Sequence, residues 1–400
     1  KYHKQTLQTG FLAVDPFTGE VKAWVGGVDF KTFKYDHVNI NTKRQVGSTI
    51  KPLLYSLAIE EAGFTPNTIV QDVQQNFDGY GMVPNTPKTC TFQSIPMAQA
   101  LAESRNCSSA FIMKQINGNS NEAAKQFVEY LKKCNIKSDI QPYPSIALGA
   151  VEISLFEMVQ AYTMFPGAGY NAQPFFINRI EDKNGNVLES YSPQRRKVIK
   201  EETAYSVVSM MQGVIQKGTG RSMYSYAVPT QSIAGKTGTT NDNSDLWFMG
   251  YTPQLLAGAW VGCDDRYIRF SDNYFGQGAH ASLPIWANFM SKVAADPACN
   301  LDANASFERP SSMLNDFNID FISKDSTGLE GMDDIINTED IKAESDYTLP
   351  DAEIASPVKN TAPNKTTPPI KNNSKDTKSK DTKANKEGAK PKALFPPKKN

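Results

Sequence analysis

The chain has 400 residues, 40% hydrophobic and 21% charged, with 42 Lys and Arg against 42 Asp and Glu and a formal net charge of +0 at pH 7. That length supplies a large core without a metal or disulfide staple, and the charge balance argues against a protein built to clamp nucleic acid phosphates. The balance conceals two opposed segments: residues 325–353 hold ten acids against Lys342, a net of −9, and residues 356–400 hold twelve lysines against Asp376, Asp381 and Glu387, a net of +9.

In chain order, GFLAVDP and EVKAWVG are β-rich runs joined by the turn sequence Asp15-Pro16-Phe17-Thr18-Gly19, which reads as a hairpin. Helical spacing of apolar residues then covers 48–62, 94–102, 107–117, 121–133, 152–165 and 201–216, with another helix over 282–295. Three strand-like runs, QSIAGKTG, DLWFMGY and LLAGAWVG, come late in the body. Two early strands, a helical middle and three late strands suggest an α+β fold: one sheet assembled from both chain ends, flanked by helices. The domain expectation is a body over 1–300, an acidic linker over 301–355 and a Lys/Pro/Asn-rich tail over 356–400, whose composition cannot repay its ordering entropy and reads as disordered.

No apolar run of eighteen residues occurs and the first twenty residues do not form a signal peptide, so nothing here is expected to cross or target a membrane. The absent initiator Met reads as a start within a longer protein, with any anchor upstream of Lys1 out of view. The five cysteines, Cys90, Cys107, Cys134, Cys263 and Cys299, include no C-x-x-C pair and offer no zinc site. Most are expected to be buried thiols, with Cys263–Cys299 as the bridge if one forms.

Three short motifs could carry chemistry. Ser48 and Lys51 stand three apart at the start of an apolar-periodic segment, so they share a helical face beside unpaired backbone N–H groups. Alone the pair is weak, because Ser48 also reads as an N-cap and Ser356-Pro357-Val358-Lys359 has the same pattern. Ser104-Arg105-Asn106 lies between two helical stretches, where short polar side chains can face a cleft; Ser271-Asp272-Asn273 is its decoy in a Gly/Asp-rich loop. Lys236-Thr237-Gly238-Thr239 ends a strand-like run. It imitates a phosphate-binding loop, but the glycine required five residues before Gly235 is Thr230. A cation with hydroxyls there suits a carboxylate. His3, His37 and His280 are the only histidines, and none adjoins a nucleophile motif; His280 reads as a loop residue.

In this order, with spacings of 56 and 132 residues from Ser48 to Ser104 to Lys236, the three motifs resemble the trio of penicillin-binding proteins and class A β-lactamases. LAVDPFTGEVKAWVGG, RQVGSTIKP, ALGAVEISLFEMVQAYTMF and GKTGTTNDNSDLWFMGYTPQLLAGAWVG extend the likeness to the transpeptidase domain of bifunctional, class A penicillin-binding proteins, over roughly residues 8–295. The resemblance implies an antiparallel sheet and a D,D-transpeptidase without cofactor or metal. Ser48 would be the nucleophile on D-alanyl-D-alanine stem peptides of peptidoglycan, and Lys51 its base. Ser104 would relay the proton, Asn106 would hold the substrate amide and Lys236 would set the electrostatics. Thr237, Gly238 and Thr239 would bind substrate, and the N–H groups of Ser48 and Thr239 would form the oxyanion hole. β-Lactams would acylate Ser48. Other implied partners are the lipid-linked precursor polymer and cell-wall synthesis complexes, at the extracytoplasmic face of a bacterial inner membrane.

Two departures stand out. Arg105 occupies the position where β-lactamases typically carry Asp, and the glycosyltransferase domain of the bifunctional proteins is missing, so glycan polymerisation would belong to a parent chain. A D,D-carboxypeptidase or β-lactamase, in which water resolves the acyl-enzyme, and a non-catalytic wall-binding module are the competing readings.

Overall fold

The computed structural model describes residues 5–117, 120–272 and 274–322. Its centre is a five-stranded sheet of β1 (Gln8–Val14), β2 (Val21–Val25), β3 (Ala234–Thr239), β4 (Asp245–Tyr251) and β5 (Leu256–Gly262). The order is β3-β4-β5-β1-β2, and the pairings are antiparallel. The first and last strands of the sheet in chain order therefore meet side by side, with Gln8 opposite Gly262 and Val14 opposite Leu256.

The strands of an antiparallel sheet commonly alternate apolar and polar residues, but β1, β4 and β5 read as nearly unbroken apolar runs. Both sheet faces are covered. Leu12, Val14, Trp247, Met249, Tyr251, Leu256 and Trp260 join the larger core, whereas Phe11, Ala13, Phe248, Ala257 and Ala259 join the smaller one. Successive side chains point to opposite faces, so one strand serves both cores.

The larger core is built by α1 (Lys51–Ala62), α2 (Met97–Ala102), α3 (Asn106–Ile116), α4 (Ser120–Lys133), α5 (Leu155–Tyr162) and α6 (Glu201–Lys217). α7 (Gly278–Ala295) covers the other face, with Trp286 Nε1 donating to Gly250 O at 3.0 Å. α1 is buried from Lys51 through Ala58 and ends at Gly63, whose φ of 71° is the left-handed conformation of a helix stop. α5 starts with a complete capping box between Ser154 and Glu157.

Several expectations shift. Residues 94–96 and 152–154 are not helical but form short ribbons with 69–71 and 43–45. α7 begins at Gly278 rather than 282, so His280 lies in its first turn, stacked on Tyr274 at 4.0 Å between ring centroids, and is not a loop residue. The linker expected over 301–355 begins too early, because Phe307, Ile319 and Phe321 pack against the larger core. Ile322 also exchanges two hydrogen bonds with the Gln99 carboxamide, at 2.8 and 3.0 Å. Most of the acidic linker and all of the Lys-rich tail lie outside the described residues.

The expected Cys263–Cys299 bridge is overturned: both are free, and the disulfide joins Cys90 to Cys107, with Cα atoms 5.6 Å apart. α7 explains the separation. It starts beside Trp247 and Gly238, at the sheet end that holds Gly262, and runs about 27 Å at 1.5 Å per residue. Cys299 is thereby delivered to the far end, where the Asp302 N–H donates to Gln254 Oε1 at 2.8 Å. Among the described residues, no helix is long and apolar enough to cross a membrane.

Candidate active site

Ser48 lies on a 3-10 turn, Gly47–Ile50, that leads directly into α1. Residues three apart eclipse in a 3-10 helix, so Ser48 and Lys51 stack on one face more closely than an ideal α-turn would place them. The turn is clamped from several sides. Thr49 Oγ1 donates to Val46 O at 2.7 Å, Tyr162 Oη donates to Thr49 O, and Gly47 N–H donates to Gly149 O at 3.1 Å. Half-buried Ser48 has no side-chain hydrogen-bond partner among the described residues, which leaves its hydroxyl available.

Lys51 is fully buried at the head of α1. Its Nζ donates to Ser104 O at 2.5 Å and to Asn106 Oδ1 at 2.7 Å, and lies 3.4 Å from Ser104 Oγ. Ser104 occupies the turn between α2 and α3 with φ of +58°, a left-handed conformation that is strained for a residue with a side chain. The turn aims both its carbonyl and its hydroxyl inward. From β3, fully buried Lys236 donates to the same Ser104 Oγ at 2.9 Å and to Thr237 O at 2.9 Å. One hydroxyl thus links two buried amines.

Burial disfavours both ammonium forms. For Lys51, burial and then the neighbouring Lys236 push the pKa well below the ordinary lysine range, with Arg105 adding to the fall and Asp72 opposing it. Burial alone pushes Lys236 down to about 7. A neutral amine near neutral pH can accept a hydroxyl proton.

Glycines bring the pieces together. A Cβ on Gly238 would lie 2.8 Å from Thr49 Cγ2 and 3.0 Å from Val46 O, and one on Gly47 would lie 2.7 Å from Thr239 O and 3.4 Å from Thr239 N. The end of β3 therefore lies directly against the Ser48 turn, with the Thr239 backbone alongside. Thr239 Oγ1 accepts from Gly278 N–H at 3.2 Å, and Thr237 Oγ1 is 2.7 Å from Thr219 Oγ1.

All eight residues singled out in the sequence, Ser48, Lys51, Ser104, Asn106, Lys236, Thr237, Gly238 and Thr239, fall in this one region. Sequence reasoning missed Thr219, Gly149 and Asp72. Thr219 follows Gly218, whose Cβ would meet Ala102 O at 2.2 Å. Only a glycine between a helix end and a threonine hints at that approach.

The family described as Penicillin binding protein transpeptidase domain matches residues 9–261, a stretch that holds all three motifs. Penicillin-binding protein 1A of Aquifex aeolicus (strain VF5) is 31% identical over 309 residues, covering 76% of this chain and 40% of that protein. Penicillin-binding protein 2D of Bacillus subtilis (strain 168) is 35% identical over 296 residues, covering 71% and 40%. The chain thus spans about 40% of the length of these curated relatives. The solved structure of Penicillin-Binding Protein 1A from Haemophilus influenzae shares the fold, with a TM-score of 0.65 at 23% identity over 72% of this chain and 48% of that one. With more than half of its length matched and the motifs gathered in one region, the chain belongs to the penicillin-binding protein transpeptidase domain family, alongside the class A proteins.

Proposed function

We propose that this domain is a serine D,D-transpeptidase working through Ser48. The observation that carries the reading is the Ser104 hydroxyl, within 3.4 Å of Lys51 Nζ and 2.9 Å of Lys236 Nζ, beside the turn that presents Ser48. Ser48 Oγ attacks the carbonyl between the two terminal D-alanines of a stem peptide while Lys51, neutral through burial, takes its proton. The N–H groups of Ser48 and Thr239 receive the oxyanion. The proton passes over Ser104 to the departing D-alanine amine. Asn106 gives its oxygen to Lys51, so its NH2 group is turned to a substrate carbonyl. Thr237 and Thr239 hold the substrate carboxylate, and Gly238 lets its backbone lie close. The amine of a neighbouring stem peptide then displaces Ser48 and closes the cross-link. β-Lactams enter the same way and remain on Ser48.

Transfer is favoured over hydrolysis because the matching family is that of the transpeptidase domain. The Cys90–Cys107 disulfide supports an oxidising, extracytoplasmic setting. Membrane anchoring, glycan polymerisation and contacts with cell-wall synthesis complexes belong, in this reading, to a longer parent protein.

Intact-mass analysis after treatment with a fluorescent penicillin, with the modified peptide mapped, tests the reading. One adduct on Ser48, persistent over hours and absent from Ser48→Ala, is expected. Labelling that survives in Ser48→Ala overturns the nucleophile, rapid hydrolysis of the adduct overturns the transferase, and no adduct at all returns the domain to a binding module.

A further inference from the structure

Asp72 lies in none of the three motifs, yet it is a fully buried acid that faces the site from outside them. Four donors converge on it. Oδ2 accepts from Thr91 N and Thr91 Oγ1, each at 2.9 Å, and Oδ1 accepts from Ser108 N and Ser108 Oγ, each at 3.0 Å. A group that only accepts suits four donors, and an ionised carboxylate is that group.

Ser108 is the third residue of α3, the helix that starts at Asn106. The residue at the N-cap position, Arg105, makes no side-chain capping bond. Helices ordinarily satisfy the N–H of their third residue with the side chain of the N-cap itself. Here Asp72 does so from more than thirty residues upstream, and a carboxylate at a helix N-terminus is additionally favoured by the helix dipole. Thr91 and Ser108 each follow a cysteine of the Cys90–Cys107 disulfide. Carboxylate and disulfide therefore strap the same two segments together, immediately behind Asn106 and the Ser104 turn.

We infer that Asp72 is a positioning residue for acyl transfer: as a detached cap it fixes the start of α3, and with it Asn106 and Ser104, against Lys51, while its negative charge faces that buried lysine. The inference rests on the transpeptidase reading above. The charged groups that face Lys51 are Lys236 from β3, Arg105 from the α2–α3 turn and Asp72; the first two disfavour its proton and Asp72 alone favours it. Removing the Asp72 charge thus makes the neutral base easier to reach at low pH, even as the loss of a good cap displaces the groups that use it.

The experiment measures the second-order rate of acylation by a fluorescent penicillin from pH 5 to pH 9, with thermal melts, for the wild-type chain, Asp72→Asn, Asp72→Glu, Ser108→Ala and Ser48→Ala. For Asp72→Asn the expected result is a plateau rate lower by about tenfold, together with an acid limb moved to lower pH by about half a unit or more. Asp72→Glu, which keeps the charge, returns the limb towards its wild-type position. A limb in Asp72→Asn that coincides with wild type, or an undiminished plateau, overturns the inference. Where Asp72→Asn does not fold, Ser108→Ala decides: it keeps the charge, and a several-fold loss of plateau with an unmoved limb is expected, whereas a wild-type plateau overturns the positioning role. Ser48→Ala separates the two levels. Surviving label there refutes the transpeptidase reading, whatever Asp72 does.

Discussion

Gly149→Ala is the most searching single substitution, because it perturbs the Ser48 turn without altering any polar side chain. Gly149 has φ of +80°, and a Cβ there would lie 1.8 Å from Gly47 O and 2.6 Å from Gly47 Cα. Real Cβ atoms essentially never approach backbone more closely than 3.0 Å, so the two segments must part by roughly 1 Å or more. They are joined by Gly47 N–H donating to Gly149 O and Val46 N–H donating to Val151 O, both at 3.1 Å, so the displacement passes straight to Ser48. A misplacement of ~1 Å lowers the rate by ~100-fold, equivalent to about 2.7 kcal/mol in the barrier. The left-handed backbone adds about 1–2 kcal/mol of lost stability. Gly63→Ala isolates that second effect, since Gly63 has φ of +71° and nothing within 4 Å of its Cβ position. It is expected to destabilise by a similar amount and to leave acylation within about twofold, as it leaves Ser48 in place. Stopped-flow acylation paired with thermal melts distinguishes the two variants. Acylation by Gly149→Ala within about threefold of wild type would refute the claim that this contact sets the position of Ser48.

Three further outcomes are expected. Lys51→Arg should lose at least ~1,000-fold in acylation rate, because a guanidinium cannot give up its proton near neutral pH; a smaller loss in the penicillin assay removes Lys51 as the base. Lys236 holds its proton only below about 7 when folded, against about 10.4 in an unfolded chain, so the unfolded state binds more protons between those values and stability at this site rises with pH. The melting temperature of Lys236→Met relative to wild type should accordingly fall from pH 7 to pH 9.5, and a difference that does not vary with pH contradicts a buried, proton-shedding lysine. Replacing Cys107 by Ser opens a crosslink that spans 17 residues and should lower unfolding free energy by about 3 kcal/mol in urea titrations; an unchanged midpoint would show that the loop is held by its other contacts.

The sheet was legible in the sequence because burial on both faces writes itself as long apolar runs, and DLWFMGY and LLAGAWVG could hardly be anything else. The polar residues of the site were legible through their order, each motif weak alone. The short ribbons at 43–45 and 152–154 were not, since three residues carry too little alternation to separate from the helix that follows Ser154. Asp72 was silent for a different reason. Its work depends on partners 19 and 36 residues away, and nothing in the letters around Val70 and Val73 distinguishes a distant cap from a solvated turn acid. Cysteine pairing failed likewise, because pairing follows the direction in which α7 carries Cys299, which spacing does not encode.

The neighbourly arrangement of β1 and β5 has a consequence for how the protein comes into being. Strand β1 can pair with β2 as soon as Val25 is made, but its other edge finds β5 only after Gly262 has been synthesised, so that edge of an apolar strand must wait, unpaired, while the intervening helices are made. Closure over so great a separation is slow compared with local helix formation. Because Lys236 rides on the late-arriving strands, a chain made only through α6 has Ser48 but lacks the second amine, and the three motifs come together only when β3, β4 and β5 lock onto β1.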